Sequence, residues 1–304
     1  MTVKAIRRID ELIGDTPLVE LSVGGKARVY GKLEYTNPGG SVKDRVAKAI
    51  IDDGLEKGRI DSDTVIIEST SGNTGVGLAM IGAAYGLKVV IFMPASMSVE
   101  RRKLILAYGA ELRLVDGGVP QANEEAAKLL AATPNSFAPG QFVNEVNARA
   151  HYETTGPEIW RDTDGEVAAF VAGVGTGGTL TGTGRYLREQ DPQVKVFAVE
   201  PDESRVLEGG PHGAHKIQGI SAGFVPDVLD QSIYDEVVHV SSADAMARQK
   251  RLAREQGVFV GISAGAAAEA AARLAERDEF AGENIVAVLP DTGERYLSML
   301  DFDD

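Results

Sequence analysis

One lysine turn and three loops of glycine and hydroxyl residues carry the chemistry in this sequence. The lysine lies in Asn37-Pro38-Gly39-Gly40-Ser41-Val42-Lys43-Asp44-Arg45. Pro38 and the glycine pair predict a tight turn, and Ser41 is placed to cap a helix that follows. Lys43 then falls in the first turn, at the positive end of the helix dipole, where a cation is disfavoured. An amine of lowered pKa, or one tied up as an imine, suits that place. Taken alone, Lys43 reads more simply as a solvated lysine paired with Asp44 or a neighbouring acid.

The second constellation is Ser69-Thr70-Ser71-Gly72-Asn73-Thr74-Gly75, between a strand and a helix. Its backbone N–H groups and the hydroxyls of Thr70, Ser71 and Thr74 suit a small anion such as a carboxylate. Asn73 adds a neutral donor or acceptor. An ordinary turn uses the same residue types, but open α/β sheets bind ligands at the carboxyl ends of their strands. The third is Gly173-Val174-Gly175-Thr176-Gly177-Gly178-Thr179, also after a strand. It suits a phosphate held by backbone donors at a helix start. It also contains G-x-G-x-x-G, with Glu200 placed as a ribose-binding acid, so a dinucleotide module is a rival. The fourth is Gly261-Ile262-Ser263-Ala264-Gly265. Ser263 is either an N-cap or a partner for a ring nitrogen.

Other candidates are plainer. His151, His212, His215 and His239 show no metal-ligand spacing and read as structural or surface residues. Trp160 reads as core. Glu100-Arg101-Arg102-Lys103 reads as a solvated helix face.

Around the loops, apolar strands alternate with helical patterns. Strands are predicted at 64–68, 88–93, 111–115, 167–171, 194–199 and 285–289. Helices are predicted from near Ser41 and after Ser98, and at 75–85, 120–132, 181–190, 243–255 and 263–277. This rhythm implies an α/β fold with mostly parallel sheets. It falls into two blocks with no low-complexity linker. The glycine-rich stretch from Glu203 to Asp230 breaks the rhythm and reads as a functional loop.

The 304 residues, 43% hydrophobic, suffice for a large buried core. The net charge of −14 disfavours nucleic acid and anionic membranes. With no cysteine, disulfides, thiolate metal sites and a thiol nucleophile are excluded. No stretch is long and apolar enough to span a bilayer. Met1 to Asp15 lacks the apolar core of a signal peptide, so a cytoplasmic enzyme is the expectation.

Taken together and in order, NPGGSVKDR (37–45), TSGNTG (70–75), GVGTGGT (173–179), KIQGISAGF (216–224) and GISAG (261–265) resemble the cysteine synthases, or O-acetylserine sulfhydrylases, most closely the A-type. MSVERRKLILAYGAE (97–111), HYETTGPEIW (151–160) and DTGERYLS (291–298) extend the resemblance over nearly the whole chain. It implies a fold-type II enzyme dependent on pyridoxal phosphate (PLP), with two packed α/β domains like the tryptophan synthase β chain. Residues 41–145 would form a smaller, mobile domain. Residues 1–40 with 146–304 would form a larger one holding the PLP phosphate. By resemblance, Lys43 forms a Schiff base with PLP and later acts as general acid and base. Asn73 lies beside the ring hydroxyl oxygen. Gly175, Thr176, Gly177, Gly178 and Thr179 hold the phosphate, and Ser263 meets the pyridine nitrogen. Thr70, Ser71, Thr74 and Gln141 bind the substrate carboxylate, and Gly219 lines the site. No metal is implied.

The reaction implied is O-acetyl-L-serine plus sulfide to L-cysteine plus acetate. A homodimer is implied, with the C-terminus of serine acetyltransferase as a further partner. A cystathionine β-synthase-like reaction and an O-phosphoserine-using cysteine synthase are the alternatives. The chain departs from the family at Asn144-Glu145-Val146-Asn147-Ala148, which lacks two frequent prolines and puts the loop beside Gln141 in question. Ser69 replaces a frequent proline, Ser221 a frequent glycine, and the tail reads Ser298-Met299-Leu300-Asp301.

Overall fold

A computed structural model describes residues 5–300. The first four residues of the charged N-terminal stretch, and Asp301 of the tail, lie outside the described residues. In chain order the elements are β1 (Leu18–Leu21), β2 (Arg28–Leu33), α1 (Lys43–Glu56), β3 (Val65–Ser69), α2 (Asn73–Tyr85), β4 (Lys88–Pro94), α3 (Val99–Ala107), β5 (Glu111–Val115), α4 (Val119–Ala132) and β6 (Ser136–Phe137). Then come α5 (Val146–Glu153), α6 (Thr155–Asp162), β7 (Ala169–Gly173), α7 (Gly178–Gln190), β8 (Lys195–Pro201), β9 (Glu236–Val240), α8 (Ser242–Gln256), α9 (Ile262–Ala275) and β10 (Asn284–Leu289). The chain divides into two compact units, Met1–Asp15 with Asn37–Gly140 and Arg295–Asp304, and Thr16–Thr36 with Gln141–Glu294. The fold class is the expected α/β with mostly parallel sheets.

The first unit holds a four-stranded parallel sheet in the order β5-β4-β3-β6. Its central strands are apolar on both faces, as buried parallel strands must be. Ile66, Val89, Ile91 and Met93 pack with Ala47 and Ile51 of α1, Val76 and Met80 of α2, and Ile105 of α3. Their neighbours Ile67, Val90 and Phe92 face the other way and pack with Ala122 and Ala126 of α4. The period of two is the strand pleat read directly from sequence. Two chain ends are tied to this unit. Asp10, almost fully buried, accepts from Tyr85 Oη at 3.0 Å and pairs with Lys48 Nζ at 3.3 Å. Ser298 N–H donates to Glu100 Oε1 at 2.7 Å.

The second unit holds a six-stranded sheet in the order β1-β2-β10-β7-β8-β9, parallel except for β1 against β2. Phe170, Ala172, Val196, Ala198, Val286 and Val288 pack with Ile159 of α6 and Leu180 and Leu187 of α7. The alanine-rich α9 packs against the sheet strands β10 and β7 and against α8. Its small side chains allow that double contact. A Cβ on Gly265 would collide with the backbone carbonyl of Ala245 in α8.

The predicted elements are all present; β5 keeps its predicted ends and the others shift. Helix α2 begins at Asn73 rather than Gly75, so the second loop runs into the helix itself. Ser263 is not an N-cap. Gly261 holds that place, and Ser263 is the second residue of α9. Ser98 holds the N-cap position of α3, but its hydroxyl makes no capping bond. Between Glu208 and Glu236 the long loop carries no helix or strand.

Because α9 carries Ser263 and is wedged between sheet and helix, Gly265→Ala is expected to destabilise the protein by about 1–3 kcal/mol through overpacking. Urea unfolding checks this: the midpoint should fall, and an unchanged midpoint would show that α8 can move aside at no cost.

Candidate active site

In the first unit the turn before Lys43 is built by two close approaches. Asp44 Oδ2 accepts from the Gly39 N–H at 2.6 Å, and a Cβ on Gly39 would come within 2.5 Å of the same carboxylate. Gly40 takes a left-handed φ of +81°, where L side chains are strained. Ser41 Oγ accepts from the Lys43 N–H at 3.2 Å. Lys43 is therefore the first residue of α1, in the unfavourable turn that its sequence position predicts. Burial pushes its pKa down to about 8, because a desolvated amine favours its neutral form.

The second loop follows β3. Thr70 is buried, its hydroxyl accepts from the Gly72 N–H at 3.1 Å, and its methyl group would touch a Cβ on Gly75 at 2.9 Å. Thr74 is buried in the first turn of α2, while Ser71 and Asn73 are partly open. The four N–H groups of a helix's first turn have no partner within the helix, so this loop is a donor-rich start suited to a carboxylate.

Two arginines that the sequence does not place in the site, Arg101 and Arg295, flank Asn73. Arg101 Nε donates to Asn73 Oδ1 at 3.1 Å, and Arg295 Nη1 donates to the same oxygen at 2.6 Å. Each arginine is 2% exposed. Arg101 therefore departs from the expected solvated face, whereas Lys103 keeps to it. Arginine is usually a surface residue, and no spacing signal marks a buried one.

In the second unit β7 leads into the glycine loop and α7. Gly177 takes a φ of +83°, and a Cβ on Gly175 would collide with the Gly219 carbonyl of the long loop. The long loop therefore lies directly on the glycine run, and Ser221 N–H donates to Val174 O at 2.8 Å. Ser221 itself has a left-handed φ of +53°, which accounts for a glycine being favoured there, and its hydroxyl lies 2.9 Å from Ser204 Oγ. Gly219 also neighbours the buried Ser263, at 3.8 Å from a built Cβ to Oγ. The loop around Gln141 holds without the two prolines. Asn147, fully buried, donates from Nδ2 to Gln141 O at 2.8 Å and to Thr176 Oγ1 at 2.9 Å.

His151 is structural as expected, buried behind the glycine run. Its Nε2 lies 3.2 Å from Thr179 Oγ1 and its Nδ1 lies 2.8 Å from Thr155 Oγ1. Glu200, the acid of the dinucleotide rival, is 1% exposed and committed inward. It accepts from Leu207 N–H at 3.0 Å and lies 3.2 Å from His239 Nε2, so both carboxylate oxygens are already engaged within the protein.

The structure thus brings Lys43, Thr70, Ser71, Asn73 and Thr74 into one unit and Gln141, Gly175–Thr179, Gly219 and Ser263 into the other. Each set fits part of PLP. A glycine run with no room for Cβ atoms at the start of α7 is a cradle for its phosphate. A desolvated amine of depressed pKa is a partner for its aldehyde.

Comparison with known proteins agrees. Residues 9–291 match the family described as pyridoxal-phosphate dependent enzyme. Cysteine synthase 3 of Caenorhabditis elegans is 48% identical over 95% of this chain and 87% of its own length. The cysteine synthase of Staphylococcus aureus is 46% identical over the full length of both chains. The crystal structure of the Entamoeba histolytica cysteine synthase superposes with a TM-score of 0.93 at 44% identity, covering 98% of this chain and 93% of that one.

Asn147 anchors both Thr176 and Gln141, so Asn147→Asp removes two donors and adds a negative charge beside an anion cradle. Affinity for PLP is expected to fall about tenfold or more. Equilibrium dialysis of the apo-protein against PLP measures it. Unchanged affinity would show that the cradle does not depend on Asn147.

Proposed function

The chain belongs to the pyridoxal-phosphate dependent enzyme family, and we propose that it is a cysteine synthase, converting O-acetyl-L-serine and sulfide to L-cysteine and acetate. The observation that carries this reading is the desolvated amine of Lys43 at the first residue of α1, where burial pushes its pKa down to about 8. The full-length cysteine synthase relatives support it.

Bound PLP supplies an electron sink for negative charge developing at the substrate Cα. Lys43 anchors the cofactor in the resting enzyme. With substrate bound, the Lys43 amine would remove the Cα proton, acetate would depart from the β-carbon, and hydrosulfide would add there. The same amine then returns the proton to Cα, so one residue serves as base and acid. Thr70, Ser71 and Thr74, at the start of α2, bind the substrate carboxylate, joined by Gln141. Thr70 N–H is committed to Phe92 O at 3.0 Å, so the hydroxyls, with N–H groups further along the loop, would donate to the carboxylate and orient the Cα–H bond. Gly175, Thr176, Gly177, Gly178 and Thr179 would hold the phosphate with donors gathered where the loop enters α7. Ser263 meets the ring nitrogen. A hydroxyl does not force full protonation there, which moderates the sink and suits elimination. Asn73 lies beside the ring oxygen, and Gly219 lines the site from the long loop.

No helix among the described residues is long and apolar enough to cross a membrane. We place the enzyme in the cytoplasm as a homodimer, with the C-terminus of serine acetyltransferase as a partner that a peptide pull-down tests directly.

Lys43→Ala is expected to lose at least a hundredfold of cysteine formation, in line with removal of a general acid–base. Cysteine produced from O-acetylserine and sulfide at wild-type rate would overturn the assignment. The depressed pKa has its own consequence. Only the neutral amine attacks an aldehyde, and lowering the pKa enlarges the neutral fraction near neutrality. The rate of PLP uptake by apo-protein should therefore rise with pH through a midpoint near 8, not near the ~10.4 of a free lysine. Stopped-flow absorbance across pH locates the midpoint, and one above ~10 would contradict the burial argument.

A further inference from the structure

Asn73 is gripped from two sides by groups that can only donate. Arg101 Nε and Arg295 Nη1 both reach Oδ1, at 3.1 and 2.6 Å. A guanidinium has no acceptor, so the atom between the two arginines must be the amide oxygen. The NH2 end of Asn73 then points the other way. This orientation follows from the chemistry of the partners and leaves no room for a flipped amide.

Both arginines are themselves fixed. Arg101 lies over the Tyr296 ring at 4.6 Å, donates to Tyr296 Oη at 2.5 Å, and fills the space that a side chain on residue 72 would need. Tyr296 is fully buried. Arg295 donates through Nη2 to the Gly39 carbonyl, and a built Cβ on Gly40 would approach that nitrogen at 2.9 Å. One guanidinium therefore joins the turn that sets Lys43 to the amide that opens α2. Gly39 is held from its other side by Asp44, at 2.6 Å.

We propose that Arg101 and Arg295 are positioning residues that lock the Asn73 amide with its N–H toward the ring oxygen of bound PLP. This rests on the assignment of Asn73 given above. Two buried cations on the amide oxygen also polarise the group and strengthen its N–H as a donor. Such a donor favours the form of the bound cofactor that carries negative charge on its ring oxygen. Through Gly39 the same clamp sets the Lys43 turn against Asn73, so both partners of the cofactor within this unit share one support.

The test is a double-mutant cycle on the holoenzyme, with Arg101→Lys, Asn73→Ala and the two combined. Lysine keeps the charge and the stem but loses the planar fork. Turnover, KM and the ratio of long- to short-wavelength cofactor absorption bands are read for each, with thermal melting as a check on folding. Arg101→Lys alone should lower kcat about tenfold, the scale of one charge-assisted hydrogen bond, with KM little changed and the long-wavelength band diminished. In the Asn73→Ala background the same substitution should change either readout by less than about twofold, because its route is already cut. Additive losses alongside an impaired Asn73→Ala enzyme would overturn the clamp and leave the Asn73 assignment standing. An Asn73→Ala enzyme with native turnover and spectrum would overturn both. Should Arg101→Lys fail to fold, Arg295→Lys carries the same cycle with the same outcomes.

Discussion

A helix leaves four N–H groups of its first turn without a partner inside the helix, and most of the residues assigned to the site gather at such starts. Thr70 to Thr74 run into α2 directly after β3, and Gly175 to Thr179 run into α7 directly after β7. Ser263 stands in the first turn of α9. Anions and electron-rich atoms are welcome at such positions, and cations are not. Lys43 is the exception, and the dipole and the loss of water act on it in the same direction. Both favour the neutral amine, the state in which it can attack an aldehyde or accept a proton.

Presenting backbone donors at close range requires that nothing crowd them, and glycine is the means. Gly39 is pressed by Asp44, Gly72 by Arg101, Gly175 by the Gly219 carbonyl and Gly178 by Asn147. In each case the neighbour that excludes a side chain also fixes the loop. The glycine runs are thus packed sites and not slack ones. The polar residues behind them, Asn147 and His151 in one unit and Arg101 and Arg295 in the other, carry the orientation of the groups in front.

Much of this was legible in the sequence. The apolar runs at Ile66–Ile67 and Val89–Met93 announce buried parallel strands because both faces are covered. The loops announce themselves because glycine, serine and threonine between strand and helix have few other uses. What was missed lacks such a signal. β2 reads Arg-Val-Tyr-Gly-Lys-Leu, with a glycine whose place is dictated by the distant Leu289 side chain and a lysine buried against Glu158 at 2.9 Å. β6 is two residues long, and β9 contains a histidine and a glutamate. Arg101 sits in a charged run that resembles a solvated face, and only the tertiary position of Tyr296 shows it to be buried. Partners brought together from residues 39, 73, 101 and 295 are a property of topology, which local pattern does not encode.

On the proposed function, this chain uses PLP to replace acetate on O-acetylserine with sulfide. The decisive measurement is the absorption spectrum of the purified protein, recorded alone, then with O-acetylserine, then with sulfide. A visible band from cofactor bound at Lys43 is expected, with a shift of that band on adding O-acetylserine as acetate is released, and its return on adding sulfide with one cysteine formed per site. A colourless protein that binds a nicotinamide dinucleotide, or a visible band that O-acetylserine leaves unmoved, would contradict it.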